Sequence, residues 1–370
     1  MGALKQRNNI IDYIKGIGII FMVMGHAGAP FTSFLYLFHM AIFFIASGYC
    51  YNKDNASNGQ DTLNYIVRKI RNLWLPYVLW MTIFSVTHNL CIKLNIYTNN
   101  PRIFEYLSGS YIRTTEFWSF TQIVKNIIMA CLLRGDTRGL AGAFWFLATL
   151  LEISVFYNIV ESVLRNVVKT KYVVHIQSVI SMIFLFAGYA FHVLNLSVGG
   201  GERVLSYYCL FHIGYILKIS KVYENNILPR IRWLIFAVAI VGLLVADNIG
   251  RIELDSNNYE NPFFLICVSI LGWQMLYESY FFVEQCTRVR KAIVYIGRNT
   301  LPIVILHFLC FKIISYIGVE FRREPIFLMA AHPILFNDGA WWIAYSCAGV
   351  FLPLFLNMLY VNLKEVFADL

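Results

Sequence analysis

Long apolar segments recur along the whole chain, and they constrain its fold more than any other feature of the sequence. We place ten of them, at roughly 10–29, 31–51, 73–94, 141–164, 172–194, 203–220, 230–249, 262–283, 292–317 and 341–363. About 20 mostly apolar residues are enough for a helix to cross a bilayer. Only helices and closed barrels satisfy the backbone there, and these runs lack the alternation of barrel strands. The sequence therefore predicts an all-α bundle of about ten transmembrane helices.

The composition argues against a soluble globular protein. Of 370 residues, 58% are apolar and only 14% are charged, whereas soluble proteins carry roughly 25% charged residues. The deficit extends along the whole length, so one membrane anchor does not explain it. A net charge of +9 would suggest nucleic acid in a soluble protein, but basic cytoplasmic loops explain it better here, and we expect no nucleic-acid partner. We expect a single membrane domain over residues 1–370.

The distribution of Lys and Arg predicts the orientation of the bundle. With the N-terminus in the cytoplasm, the cytoplasmic segments hold 17 basic residues and the short outer loops hold 4, namely Arg203, Arg251, Arg322 and Arg323. Such an excess marks the cytoplasmic side, although long loops follow the rule poorly. The sequence thus predicts an N-in, C-in topology. Within the long connection 95–140, which is left out of this count, the amphipathic stretch "FWSFTQIVKNIIMACLLRG" is expected to lie in the interface or to re-enter.

The first span, "DYIKGIGIIFMVMGH", carries three ionisable side chains. Such groups are costly inside a membrane and by default mark a function. Asp12 and Lys15 are spaced i, i+3, so they share a face as a candidate ion pair. Lys15 and His26 also share a face, about 16 Å apart along the axis. The alternative interpretation is that Lys15 snorkels to the interface and His26 is a satisfied polar group at the helix end.

Histidines from three spans are predicted to lie in one layer of the outer half of the membrane. With the predicted orientation, His26, His39 and His307 fall at a similar depth, and His88 falls near it. Such a cluster is compatible with a metal site, a proton relay, or a general base with helpers. A metal is the least favoured, because no carboxylate or thiolate lies at ligand spacing beside them. We therefore expect no metal.

Four further residues are candidates for binding. Arg68 and Arg71 lie at the cytoplasmic entrance to the third predicted span, where they either anchor the helix or grip phosphate. Trp145, near the outer end of the fourth span, is either an interfacial belt residue or a substrate contact. Glu152 lies deeper in that span and needs a partner or a water-filled cavity, which makes it a second candidate substrate contact.

Five motifs, in this order, resemble those of the acyltransferase 3 family of membrane acyltransferases, which includes bacterial polysaccharide and sugar O-acetyltransferases. They are "DYIKGIGIIFMVMGH", "FHMAIFFIASGY" with His39, "RKIRNLWLPY", "FWFLATL" and "YIGRNTLPIVILHFL" with His307. The resemblance covers nearly the whole chain. One departure is Lys15, at a position that is often Arg in the family, since Lys keeps the charge but loses bidentate phosphate geometry. No segment resembles the esterase-like domain that some relatives append, so we expect transfer to finish within the helices.

The resemblance implies a reaction and a location. It implies an O-acyltransferase of the bacterial inner membrane that moves an acyl group, most often acetyl, from cytoplasmic acyl-CoA to a hydroxyl of a glycan or glycolipid. Acetyl-CoA is then the expected acyl donor, and membrane lipid surrounds the protein. Homo-oligomerisation is left open.

The resemblance also implies roles for the candidate residues. His26 is the expected general base or transient acyl carrier, and Asp12 and His307 are the further catalytic candidates. The acyl-CoA site is expected to contain four residues: Lys15, Arg68, Arg71 and His39. Trp145 and Glu152 are the candidates for contact with the acceptor.

Two other functions are alternatives. One is a membrane transporter of a glycolipid or small anion that uses the buried His and Lys groups as a proton relay, and the other is a non-catalytic receptor. Transporters often contain internal repeats, and we find no repeat in this sequence. Turnover of acyl-CoA distinguishes an enzyme from a transporter, and a silent His26→Ala substitution would indicate a receptor.

Overall fold

The computed structural model describes residues 8–107, 114–223, 227–283 and 285–368, with side chains described to residue 364. This part of the chain is mostly helical. Its strands form one short antiparallel pair, β1 (Ile252–Glu253) and β2 (Asn258–Tyr259). The predicted all-α fold class is therefore confirmed.

The helices fall into two runs along the chain. The first run comprises α1 (Asn9–His26), α2 (Thr32–Tyr36), α3 (Ala41–Cys50), α4 (Gly59–Lys69), α5 (Leu75–Val86), α6 (His88–Lys93), α7 (Ile103–Tyr106) and α8 (Phe120–Cys131). The second comprises α9 (Phe144–Val167), α10 (Thr170–Val193), α11 (Gly201–Ile219), α12 (Pro229–Ile249), α13 (Pro262–Phe282), α14 (Thr287–Arg298), α15 (Thr300–Arg322) and α16 (Trp341–Ala368). Short 3₁₀ helices lie at Lys53–Ala56, Gly139–Ala141, Leu254–Ser256 and Ile326–Ala330, and a π-helical turn, Ile70–Trp74, joins α4 to α5.

Seven described segments are long and apolar enough to cross a membrane. They are Thr32–Cys50, Gly139–Val167, Thr170–Val193, Pro229–Ile249, Pro262–Phe282, Thr300–Arg322 and Trp341–Lys364. The other three predicted spans form helices that are shorter or more polar. α1 carries Asp12 and Lys15, α11 carries Glu202 and Lys218, and α5 ends after 12 residues. The total of about ten and the N-in, C-in topology therefore stay predictions.

Three predicted spans are interrupted in the structure, and one of them, 73–94, is divided at Thr87 between α5 and α6. The segment 31–51 consists of α2 and α3, separated by a turn in which the Nδ1 of His39 donates to the carbonyl of Leu35 at 2.8 Å. The segment 292–317 is broken at Asn299, where the basic, amphipathic α14 ends and the apolar α15 begins. The sequence predicted a continuous helix for each of these two segments, because each is apolar throughout most of its length. Hydropathy carries no information about the side-chain hydrogen bonds that form where a helix breaks.

The amphipathic stretch in the long connection forms α8, which has 12 residues. Ser119 begins it with a capping box, in which its hydroxyl accepts from Gln122 N at 3.3 Å and the Gln122 side chain accepts from Ser119 N at 2.7 Å. This pairing satisfies two backbone donors that a helix start leaves open. With 12 residues, α8 is shorter than the roughly 20 that a span requires.

Packing divides the chain into two compact units, of which the first comprises residues up to Met22, Ser33–Ile70 and Thr149–Thr300. In this unit α11 packs against α3 and α10, and α12 packs against α13. Glycines allow the closest approach. A Cβ added to Gly48 would lie 1.8 Å from the Phe211 carbonyl oxygen, so this crossing requires glycine.

The second unit comprises Val23–Thr32, Arg71–Ala148 and Leu301–Leu370. Here α5 packs against α8, and α7 packs against the 3₁₀ helix Ile326–Ala330. Gly349 of α16 meets Phe311 of α15 and Val23 of α1, each within 3 Å of a Cβ built on the glycine. The end of α1 is thereby packed with α15 and α16. The single-domain organisation predicted from the sequence stays a prediction.

Candidate active site

A charged cluster lies at the start of α1 in the first unit. Asp12 is 3% exposed, and its two carboxylate oxygens accept from Lys15 Nζ at 3.1 Å and from Arg298 Nε at 3.2 Å. Arg298 also donates to Asn9 Oδ1 at 2.8 Å. The ion pair expected between Asp12 and Lys15 from their i, i+3 spacing is therefore present. Arg298 is a second cation on the same carboxylate, and sequence reasoning missed it.

Two glycines bring α14 close enough for Arg298 to reach Asp12. A Cβ on Gly297 would lie 1.6 Å from the Asp12 carbonyl oxygen, and one on Gly16 would lie 2.2 Å from the Ile293 carbonyl oxygen. Neither position can hold a larger residue without separating the helices. The meeting of Arg298 with Asp12 thus depends on backbone-to-backbone contact between α1 and α14.

Further cations lie around Cys50, at the end of α3. Lys15, Lys218 and Lys69 all act electrostatically on the Cys50 thiol, which is exposed. Lys218 donates to the carbonyl of Tyr51, which holds its ammonium group next to the end of α3. We call Lys15, Lys69, Lys218 and Arg298 the cationic cluster. Two of the four, Lys15 and Arg298, bind the Asp12 carboxylate, and a group of basic side chains of this kind is suited to binding an anion.

Lys69 differs from the other members of the cluster in its pKa. Burial lowers the pKa of the Lys69 ammonium to about 8; the nearby Cys50 opposes this shift, and the positive charge of Arg68 adds to it. Lys69 lies over the ring of Tyr65, with 5.4 Å from Nζ to the ring centroid. Its charge is therefore sensitive to pH near neutrality, whereas arginine stays charged.

Arg68 and Arg71, both predicted to bind phosphate, belong to different compact units. Arg68 donates to Asn55 Oδ1 at 2.7 Å and lies 5.7 Å from the Tyr65 ring centroid, next to Lys69. Arg71 is exposed in the π-helical turn Ile70–Trp74, and Arg71 itself belongs to the second unit. Arg68 thus adjoins Lys69 of the cationic cluster in the first unit.

In the second unit, the imidazoles of His26 and His307 stack. Their ring centroids are 5.4 Å apart and the planes differ by 26°. His307 is fully buried, and its Nδ1 donates to the carbonyls of Ile303 at 2.9 Å and Val304 at 3.1 Å. In the neutral imidazole, its Nε2 is then the unprotonated nitrogen. Among the described residues, this buried Nε2 has no hydrogen-bond partner.

Phe308 lies at the centre of this histidine site. Its ring centroid is 4.0 Å from that of His307, 4.9 Å from that of His26 and 4.7 Å from that of His332. A Cβ on Gly142, just before α9, would lie 2.9 Å from the Phe308 ring. His332 was not singled out from the sequence, because it lies in the loop before α16, outside every apolar segment and every motif.

The remaining predicted site residues have the following surroundings. His39 is buried in the first unit, hydrogen-bonded to Leu35 and 4.9 Å from the Tyr36 ring centroid. Trp145, in the first turn of α9, is half-buried in the second unit and lies edge-on to Phe146 at 6.2 Å. Glu152 is half-buried in the part of α9 that belongs to the first unit. Their roles in binding stay predictions.

The described residues contain no group of three His, Cys, Asp or Glu side chains that could hold a metal. The histidine site offers imidazole groups, which can act as a base, a nucleophile or a hydrogen-bond partner. The chemistry available at the cationic cluster is anion binding.

The helical fold, its apolar spans and its charged groups define an integral membrane protein with polar chemistry inside the bundle. A family model described as an acyltransferase domain matches residues 8–360, so the chain belongs to the acyltransferase 3 family. The resemblance predicted from five motifs is thereby confirmed, and the chain is a membrane acyltransferase. A comparison with curated proteins found no match, and neither did a comparison with solved structures.

Proposed function

We propose that the protein is an O-acyltransferase that moves an acetyl or related acyl group from cytoplasmic acyl-CoA to a hydroxyl of a glycan or glycolipid. The observation that supports this most strongly is the stacked pair of His26 and His307. A buried polar atom without a partner is costly, so the Nε2 of His307 is suited to accept a hydrogen bond from a substrate hydroxyl. A sugar carries several such hydroxyls.

In the proposed reaction, His26 acts as the general base. The acceptor oxygen attacks the thioester carbonyl carbon, a C–O bond forms and the C–S bond breaks. His26 takes the hydroxyl proton and returns it to the departing sulfur, so the products are an ester and the CoA thiol. His307 accepts from a neighbouring hydroxyl and orients the acceptor. General-base catalysis of this kind typically contributes about 10²–10⁴-fold to the rate.

A covalent route uses the same residues. The His26 nitrogen attacks the thioester carbon, a C–N bond forms, and the C–S bond breaks as the CoA thiol leaves with the imidazole proton. The acceptor oxygen then attacks the acyl carbon, a C–O bond forms, the C–N bond breaks, and the hydroxyl proton passes to the released imidazole. The two routes differ in whether an acyl-histidine accumulates when no acceptor is present.

The cationic cluster is the proposed binding site for the phosphates of acyl-CoA. Lys15 and His26 lie in one continuous helix, α1, about 16 Å apart along its axis. Arg298 adds a guanidinium, which binds phosphate with paired hydrogen bonds. Arg68 adjoins the cluster and is proposed to help, and His39 is retained as a candidate donor contact.

The structure changes the role that we propose for Asp12. Asp12 precedes His26 by 14 residues in α1, about 21 Å along the axis. Its carboxylate is engaged by Lys15 and Arg298. We therefore propose that Asp12 holds these two cations for phosphate binding and does not contact the reacting atoms.

The catalytic proposal is tested with purified protein in liposomes and [1-¹⁴C]acetyl-CoA. His26→Ala is expected to abolish transfer of label to added glycerol or methyl glucoside. The matched control is His175→Ala, since His175 is an exposed histidine of α10. Transfer by His26→Ala at the wild-type rate would overturn the proposal. Intact-protein mass spectrometry without acceptor reports an added acetyl group only if the covalent route operates.

The donor site is tested with Cys50, the exposed thiol beside the cationic cluster. CoA is expected to slow alkylation of Cys50 by N-ethylmaleimide, measured by peptide mass spectrometry. Cys286, an exposed thiol just before α14, is the internal reference and should react at the same rate with and without CoA. Equal rates at Cys50 with and without CoA would contradict the placement of the donor phosphates.

A further inference from the structure

Lys312 of α15 is a buried lysine whose partners are backbone carbonyls. It is 4% exposed, and its ammonium donates to the carbonyl of Met329 at 3.0 Å and to that of Ala331. A buried ammonium is costly unless it is hydrogen-bonded. Lys312 therefore fixes the chain at the end of the 3₁₀ helix Ile326–Ala330, one residue before His332.

The loop is also fixed on the other side of His332. The Tyr345 hydroxyl accepts from Leu335 N at 3.3 Å and Phe336 N at 3.5 Å, and it is hydrogen-bonded to Ser315 at 2.9 Å. Farther along, Arg322 pairs with Asp338 at 2.6 Å. The backbone around His332 is therefore held to α15 and α16 at several points.

This loop brings His332 to the histidine site. The His332 ring lies against Phe308, whose ring also contacts His307 and His26. His332 is half-buried. The proposed mechanism uses His26 and His307 and leaves this third imidazole without a role.

We propose that His332 contacts the acceptor and selects among hydroxyl-bearing acceptors, and that Lys312 is the positioning residue that holds His332 in place. This inference rests on the proposed function. An imidazole can both donate to and accept from sugar or polyol hydroxyls. His332 differs from His26 and His307 in being carried by a loop, and binding specificity commonly lies in loops held by a rigid scaffold.

The test uses the full-length protein in liposomes with [1-¹⁴C]acetyl-CoA and three acceptor probes: glycerol, methyl glucoside and methyl galactoside. His332→Asn is expected to raise the KM for the sugars and to change their kcat/KM ratio by about tenfold, the effect of one altered hydrogen bond. His175→Asn is the control and should keep the wild-type ranking. An unchanged ranking and KM in His332→Asn would overturn the inference.

Lys312→Met tests the positioning role, because methionine fills the space without the ammonium donors. It is expected to change the acceptor ranking in the same direction as His332→Asn, and the double variant should show no further change. Independent, additive effects would show that Lys312 does not act through His332. Should Lys312→Met fail to fold, Lys312→Arg, which retains donors, is expected to preserve the ranking, and a changed ranking would count against the role.

Failure of this inference is distinguishable from failure of the proposed function. If the wild-type protein transfers no acetyl group to any of the three acceptors, the proposed function is wrong. If His26→Ala is inactive while His332→Asn keeps the wild-type acceptor ranking, only the role of His332 is wrong.

Discussion

The imidazole of His26 stacks on that of His307, with 5.4 Å between the ring centroids. One ring ends α1 and the other lies in the second turn of α15, so the pair joins helices that are far apart in the sequence. The two backbone carbonyls that accept from His307 Nδ1 leave its Nε2 as an acceptor. The proposed base, His26, and the proposed orienting group, His307, thus lie side by side.

Removal of either ring of this pair should show that the two act as a unit. We expect His26→Ala and His307→Ala each to lower the single-turnover rate of acetyl transfer by about 10²–10⁴-fold. The double variant should be little worse than His26→Ala, because groups that act together lose activity non-additively. Rapid-quench measurements with labelled acetyl-CoA report these rates. Fully additive losses would mean that the histidines work independently.

Lys15 should act mainly in donor binding. We expect Lys15→Ala to raise the KM for acetyl-CoA with a smaller effect on kcat, because a phosphate contact remote from the reacting atoms contributes ground-state binding. Lys15→Arg keeps the charge and should retain much of the affinity. For both variants, steady-state kinetics give KM and kcat, and the slowing of Cys50 alkylation by CoA reports donor binding. An unchanged KM in Lys15→Ala would remove Lys15 from the donor site.

Asp12→Asn should destabilise the protein, because it leaves two cations without their shared carboxylate. The Lys15 and Arg298 side chains are 25% and 40% exposed, so we expect a loss of about 1–3 kcal/mol, less than for a fully buried pair. The control is Asp247→Asn, which breaks an exposed pair with Arg251 worth about 0–1 kcal/mol. Thermal unfolding in detergent compares them. Equal midpoints for the two variants would contradict the shared role of Asp12.

Gly297→Ala should separate α14 from α1, because the new Cβ would meet the Asp12 carbonyl oxygen at 1.6 Å. We expect a lower unfolding temperature and weaker binding of CoA, since Arg298 moves with α14. Gly59→Ala is the matched control, because a Cβ there meets nothing within 4 Å. Calorimetric titration with CoA measures the affinity. Wild-type affinity and stability in Gly297→Ala would show that this close approach is not needed.

The affinity for CoA should depend on pH through Lys69. Burial lowers the pKa of Lys69 to about 8, so its positive charge is present below that pH and is lost as the pH rises through it. Because phosphate binding uses the charged form, the affinity for CoA should fall between pH 7 and pH 9. Lys69→Arg stays charged and should remove this dependence. If the affinity of Lys69→Arg for CoA fell in the same way, the pH dependence would belong to another group.

Local geometry allowed several features to be predicted from the sequence. The length of the apolar runs predicted a helical membrane protein because the bilayer leaves few ways to satisfy a backbone. The Asp12–Lys15 pair followed from i, i+3 spacing, which any helix turns into a contact. Helical rise and span orientation also placed His26 and His307 at a similar depth. Each of these depends on the repeat of a single helix.

Only the tertiary structure decided which of these groups meet. Arg298 reaches Asp12 because Gly297 and Gly16 allow two backbones to touch, and His332 reaches Phe308 because Lys312 holds a loop. No regular spacing of residues in the sequence predicts either contact. Each joins two residues whose separation along the chain does not indicate their distance in space. The sequence by itself determined that the chain is helical and which residues of α1 share a face, but not where several helices break. The packing of small residues and the buried hydrogen bonds of one lysine determined which faces came together.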